Sequence, residues 1–281
     1  MALLTSTGGK AAYPDTSWMK AKDALPTALI LDERIATAGP EIVGDAPTLR
    51  IPIITADPEA EFYAEGEQIA ESDAGFSEVV VSTRKIGMLN SLSNEAFSVP
   101  TGPSMLSDAI VAGMIGRADQ ALLLDPGTNG SPTGLSRISG ATTTTAADID
   151  TKGLQPILES IAAVTDLGAN PTSLIMRHSA WARLQGLTAT DGRPLIQPDV
   201  QNVTAPALFG VPVILSKFTP ADTIIVNDAS NIIASTSELA VARSDDALFA
   251  KDAVMLRATM RVGFGIVAPA KLGIIGLKPK A

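Results

Sequence analysis

Residues 49–89 read LRIPIITADPEAEFYAEGEQIAESDAGFSEVVVSTRKIGML, and this stretch constrains the fold more tightly than any other. It opens on Leu49-Arg50-Ile51-Pro52-Ile53, whose alternation of apolar and polar residues fits a half-buried strand. Pro52 lacks an N–H and suits an edge position. The stretch closes on a second strand pattern, Glu78 to Leu89, rich in valine. Between them, Thr55 to Gly75 holds seven acids (Asp57, Glu59, Glu61, Glu65, Glu67, Glu71 and Asp73) and no Lys or Arg. Its few apolar residues, Phe62, Tyr63 and Ile69, cannot form a core. Two strands flanking an acidic excursion fit a β-hairpin arm leaving the body. At ~3.3 Å per residue, a dozen residues each way span roughly 40 Å. An isolated two-stranded arm is marginal in water and like charges add repulsion, so the arm needs another surface. A basic strip on a neighbouring copy would answer its charge, with Arg84, Lys85, Arg257 and Arg261 as candidate partners. A flexible acidic loop fits the same residues. A calcium loop built from Asp57, Glu59 and Glu61 lacks the glycine turn and terminal ligand of an EF-hand.

Downstream, Ser104 to Leu124 predicts a long helix, with Leu106, Ile110, Met114, Ala121 and Leu124 near helical spacing and Thr101 or Ser104 as cap. Asp125-Pro126-Gly127-Thr128-Asn129-Gly130 stops it. Ala141 to Ala147 reads as a Thr/Ala-rich linker. From Asp148 helices and strands alternate: a helix carrying Leu154, Ile157, Leu158 and Ile161, a strand at Ser173 to Met176, a helix at His178 to Leu187, and strands at Gly210 to Ile214 and Thr223 to Val226. These predict a compact α/β unit. Near the end, Val254, Leu256, Ala258, Met260, Val262, Phe264 and Ile266 are apolar at every second position. Such alternation predicts a strand about 50 Å long with one buried face, and the long helix is its natural cover. Upstream of the hairpin, residues 1–27 predict an extended arm, and Thr27 to Thr37 a short strand or helix.

Composition narrows the chemistry. The 281 residues contain no cysteine, which excludes disulfides, thiolate catalysis and Cys-bound metals. The one histidine, His178, leaves no metal-binding His pair, and it opens a helix as an ordinary polar residue would. No Gly-x-Ser-x-Gly elbow or phosphate loop occurs, and Gly263-Phe264-Gly265 is only a fragment of a dinucleotide fingerprint within a strand pattern. Carboxylates alone could serve a hydrolase, but no pair is marked as facing one cleft. A net charge of −9 opposes gripping nucleic acid, whose affinity rests on Lys and Arg. No apolar run reaches the ~18 residues of a membrane span, and Met1 to Lys10 does not read as a signal peptide.

Arm, hairpin, long helix, α/β unit and returning strand follow one another in an order that resembles the Hong Kong 97 type major capsid proteins of tailed phages. Local motifs carry the resemblance. Ala64-Glu65-Gly66-Glu67, Glu71-Ser72-Asp73 and Phe76 resemble that family's extended loop. Ala121 to Asp125 with Gly127, Asn129 and Pro132-Thr133-Gly134-Leu135 resembles the end of its spine helix. Asp191-Gly192-Arg193-Pro194-Leu195 resembles the tip of its axial domain, and Leu208-Phe209-Gly210-Val211-Pro212-Val213 its Gly-x-Pro-Val strand.

The resemblance implies an α+β capsid fold. Its parts would be an N-terminal arm at 1–27 lying along a neighbour, a connection at 28–48 and an extended loop at 49–89. A peripheral domain would combine 90–147 with 238–281, and an axial domain would span 148–237. It implies a non-enzymatic virion protein, without cofactor or metal, that assembles with itself into pentamers and hexamers after a stage in the host cytoplasm. The shell would enclose DNA without reading its sequence and would have no membrane contact. Portal and scaffolding proteins are the other implied partners, with room for a decoration protein. Assembly contacts would involve the seven loop acids and, at the axial tip, Asp191, Gly192, Arg193 and Pro194. The family's Lys–Asn cross-link is not expected, because Ile69 and Asp252 align with the lysine and asparagine. The chain reaches family-like sequence soon after Met1, so scaffolding is expected to be separate or unnecessary. An encapsulin-type shell and a carboxylate-based hydrolase are the alternative readings.

Overall fold

A computed structural model describes residues 16–19, 28–44, 46–56, 62–63, 66, 68, 75–95, 102–128, 131–188, 193–196 and 206–278. The long alternating segment forms β13, Ala253–Ile266. Its even-numbered side chains from Val254 to Phe264 are all buried, as the alternation requires. One edge of β13 carries β12 (Leu239–Leu248) and then β11 (Ile232–Thr236), both antiparallel. The other edge carries β5 (Arg84–Ser93) in ten consecutive antiparallel pairs, from Ala253↔Ser93 to Val262↔Arg84. Two further strands complete this first sheet. β2 (Thr37–Ala38) runs parallel to β11, and β1 (Thr16–Met19) pairs with β12. Four residues of the predicted N-terminal arm thus lie on this chain's own sheet. The rest of the arm is outside the described residues.

The long helix is α1, Gly102–Leu123, starting two residues before the predicted Ser104. Ile110, Met114, Ala118 and Leu122 share a core with Leu256, Ala258, Met260 and Val262 of β13, while Ile86 and Met88 of β5 pack against it. The helix lies over the buried face of β13, as predicted, and also over β5. Its C-terminus is closed from outside. Ser136 Oγ and Arg137 Nε donate to the carbonyls of Leu123 and Leu124 at 2.6 and 3.1 Å. Gly134 permits that approach, since a Cβ there would meet the backbone at Leu123 to Asp125 within 2.6–2.8 Å. Leu135 beyond it is fully buried.

The region 49–89 holds three strands where the sequence showed two patterns. β3 (Thr48–Ala56) and β4 (Gly75–Ser82) form an antiparallel two-stranded sheet, so Pro52 does sit on an edge strand. β4 then passes into β5 at Thr83, where the chain leaves the hairpin and joins β13. Thr83 is buried and its hydroxyl donates to the Ala46 carbonyl. The hairpin base crosses the face of β13 opposite the helix. Val79 and Val81 occupy the room left by Gly263 and Gly265, where a Cβ would come within 2.9 and 2.6 Å of their methyl groups. Gly263-Phe264-Gly265 is therefore a packing notch for the hairpin, which accounts for the glycines without any nucleotide.

A second sheet has the order β6-β14-β10-β7-β9-β8. Its strands are Thr142–Ala147, Gly273–Leu277, Thr223–Asn227, Ser173–Met176, Val211–Leu215 and Ala207–Leu208. One face carries α3 (Gln155–Asp166) and α4 (His178–Gln185), reached through the single turn α2 (Ile149–Lys152), and packs them on Leu174, Met176, Val213, Ile224 and Val226. The other face sends Ile175, Ile214 and Ile225 into the core around α1. Sheet membership divides the chain at points other than 148 and 237. The supposed linker 141–147 is a strand, pairing in parallel with the C-terminal strand β14. β14 belongs to the second sheet and β11 to the first.

Gly265→Val is expected to destabilise the folded chain by about 1–3 kcal/mol, because Val79 and Val81 have short branched side chains that cannot swing away. Chemical denaturation of the soluble chain measures it, and an unchanged midpoint would contradict the notch.

Candidate assembly surfaces

Hairpin register sorts the side chains of β3 and β4 onto two faces. Leu49, Ile51, Val79 and Val81 share the face turned to the body, where both valines are buried. On the outward face Ile54 lies directly opposite Phe76, with relative exposures of 60% and 77%. Val80 is also exposed there, and Arg50 and Glu78 form an ion pair at 2.6 Å. Farther out, Phe62 is fully exposed. Burying either side chain of this apolar pair against another surface would contribute about 1.5–3 kcal/mol. Strand alternation in the sequence placed Ile51 and Ile53 but not this outward pair, which depends on the register between the strands. All seven acids, from Asp57 to Asp73, lie outside the described residues, as does Ile69.

The four candidate basic residues divide between two faces. Lys85 and Arg261 are directly paired across β5 and β13, and Arg257 follows two positions along the same face, opposite Leu89. Arg84 pairs with Val262 and belongs to the other face. The shared face borders a groove of about 510 Å³ lined by Ile42, Val43, Lys85, Glu238, Thr259 and Arg261. Glu41 and Glu238 lie at this groove, so its charge is mixed. The Arg261 guanidinium also reaches Thr83 Oγ1 at 3.4 Å, tying it to the junction between hairpin and body. Arg84 lines a separate groove of about 430 Å³ with Val80, Thr133, Arg137, Ile138 and Phe264, between the hairpin base and the turn after α1.

Of the predicted axial tip, Arg193 and Pro194 are described and exposed, and Asp191 and Gly192 are not. A bridge from Thr188 to Pro194 and the Leu195 N–H to Leu187 carbonyl bond at 2.9 Å close the base of this loop. Asp252 sits at the turn between β12 and β13 and accepts a hydrogen bond from Asn94 Nδ2 at 2.6 Å. Among the described residues no acid, His or Cys cluster could hold a metal, and no helix is long and apolar enough to cross a membrane.

One structural site had no signal in the sequence. The connection 28–44 straps the two sheets together. Asp119 of α1 accepts the Leu29 N–H at 2.7 Å. The Arg34 carbonyl accepts from Thr172 and Ser173 at 2.8 and 2.9 Å, and Asn227 Nδ2 reaches the Ile35 carbonyl at 2.8 Å. Gly39 N–H donates to Ala234 of β11 at 2.7 Å. Burial pushes the Asp119 carboxyl up from 3.8 to about 6, against the lowering effect of the Leu29 and Ile30 N–H groups and of Lys217.

A family model described as the phage capsid family matches residues 34–275. The chain belongs to the phage capsid family. Its fold is similar to solved chains at low sequence identity. The capsid of an empty GTA particle matches with TM-score 0.71 and 17% identity, over 88% of this chain and 89% of that one. A chain of Gordonia phage Cozz matches with TM-score 0.64 and 19% identity, over 87% and 85%. A chain of Microbacterium phage Oxtober96 matches with TM-score 0.65 and 18% identity, over 94% and 92%. No curated protein matches. The capsid fold is thus the Hong Kong 97 type anticipated from the motifs, in an α+β arrangement.

The raised value at Asp119 fixes a sign. Below about 6 the folded chain takes up a proton that the unfolded chain binds only near 3.8, so this group's contribution to stability grows as pH falls through that window and is smallest at neutral pH. Asp119→Asn removes the titration. The melting temperature of the native chain relative to Asp119→Asn is therefore expected to rise between pH 7 and pH 4.5, and a constant difference would refute the assignment.

Proposed function

We propose that this chain is the major capsid protein of a tailed phage, assembling into pentamers and hexamers that close into an icosahedral head around double-stranded DNA. The observation that carries the reading is the hairpin: a two-stranded arm whose outward face exposes Ile54 and Phe76, on a body of the phage capsid family. A surface like that reaches its free-energy minimum against another molecule, and a shell supplies one at every subunit.

In this reading β3 and β4 with the residues between them are the extended loop, α1 is the spine helix, β5, β12 and β13 form the peripheral domain and the second sheet the axial domain. The acids from Asp57 to Asp73 would settle on a neighbouring copy near Arg257, Lys85 and Arg261, which share one face of β5 and β13. Arg84, on the other face, would serve a separate contact. Arg193 and Pro194, with Asp191 and Gly192, would face the symmetry axis. A net charge of −9 suits a wall that contains DNA without gripping it. The protein would be structural, with no catalytic step, and would meet portal and scaffolding proteins during assembly and reside in the virion.

Deleting Asp57 to Asp73 is expected to leave a folded, soluble chain that makes no shells, and Lys85→Glu with Arg257→Glu is expected to reduce shell yield severalfold. Circular dichroism and negative-stain microscopy read the two outcomes; normal particles from the deletion would end the proposal, and DNA-free particles filled with protein cargo would favour an encapsulin. With Ile69 and Asp252 at the cross-link positions, denaturing gels of intact particles should show monomer alone, and a ladder would contradict that.

A further inference from the structure

Among the described residues two that are not glycine hold a positive φ, Asp252 at 46° and Phe209 at 53°. Asp252 is chemically accounted for. A short polar side chain tolerates the left-handed region, and its carboxylate is held by Asn94 Nδ2 at 2.6 Å. Phe209 has no such account. It is the first of two residues joining β8 to β9, with Leu208↔Val211 and Ala207↔Pro212 paired around it, and Gly210 follows at φ 79°. A two-residue loop with both φ values positive favours Asn-Gly or Gly-Gly, and a bulky aromatic at its first position is disfavoured. Burial within its own chain does not offset this, since Phe209 is 46% exposed. The turn also lies at β8, the edge strand of the second sheet among the described residues. Strained backbone that persists at an exposed position points to a task for the side chain it displays.

The opposite edge of the same sheet ends in β14 and β6, and α3 packs over both. On the exposed side of α3, Leu158 is 48% exposed and Ala162, one turn on, is exposed too. We propose that Phe209 of one copy packs on the Leu158–Ala162 strip of α3 in the next copy. The two patches are different surfaces of one chain, so the contact is head-to-tail, the kind that closes into a ring when repeated by rotation. An aromatic side chain seated on an apolar strip is a common energetic centre of such contacts. The inference rests on the shell-subunit reading and names residues that join its copies.

Phe209→Asn restores the turn's preferred Asn-Gly. The melting temperature of the unassembled full-length chain is expected to rise by a few degrees, while shell yield at fixed concentration falls about tenfold or more. Leu158→Gln should lose assembly similarly without the rise, and the double variant should assemble no worse than the poorer single one. Shells formed by Phe209→Asn at the native yield would overturn the inference, as would a lowered melting temperature, which would assign the ring to the chain's own fold. Additive losses in the double variant would overturn the pairing with Leu158. A native chain that forms no particles at any concentration would sink the shell reading and this inference with it, whereas native shells alongside unaffected variants would sink the inference alone.

Discussion

Everything in this structure is organised by the two faces of β13. One face presents Val254, Leu256, Ala258, Met260, Val262 and Phe264 to a core shared with the long helix. The other is polar for half its length, through Arg257, Thr259 and Arg261, and then gives way to Gly263 and Gly265. Because no side chain rises at those two positions, β4 can cross within van der Waals distance and anchor Val79 and Val81. The same strand therefore holds the helix from one side and the hairpin from the other. Larger residues at the glycines would leave the first sheet intact and lift the arm away.

The second sheet is tied to this frame twice. Ile175, Ile214 and Ile225 enter the core around α1, and the connection 28–44 bonds in turn to α1, to β7 and β10, and to β11. The outcome is one continuous body with its exposed apolar and charged surfaces at the periphery: the outward face of the hairpin, the cationic face along β5 and β13, and the turn after β8. A molecule with a settled interior and unsettled margins is suited to repetition. The buried carboxyl of Asp119, where helix and strap meet, puts a titratable group at the joint between the two halves.

Much of this was legible in the residues. The alternation from Val254 to Ile266 located β13 and its buried face, helical spacing located α1, and the acidic excursion between two strand patterns located the hairpin. What could not be read depends on contacts distant in sequence. Thr142 to Ala147 looked like a linker because threonine and alanine carry no strong strand pattern, and only the neighbouring β14 makes it a strand. Leu239 to Leu248 went unnoticed because Arg243-Ser244-Asp245-Asp246 interrupts its apolar pattern with exposed charge. Gly263 and Gly265 had no evident purpose until Val79 and Val81 lay over them. The cationic residues were chosen for their charge, and the register put Lys85, Arg257 and Arg261 on one face and Arg84 on the other. Phe209 was noted as part of a motif, but nothing in the letters reveals the sign of its φ.

The passage from β4 to β5 at Thr83 has a mechanical corollary. Hairpin and body are successive lengths of one nearly continuous strand, so tension applied to the arm travels along the backbone into β5. There it meets ten antiparallel pairs with β13 lying parallel to the pull. Those hydrogen bonds are stressed in shear, all together, and do not peel open one by one as they would if the force acted across the ladder. The junction is the molecular equivalent of a lap joint, which resists stretching along its length far better than prying.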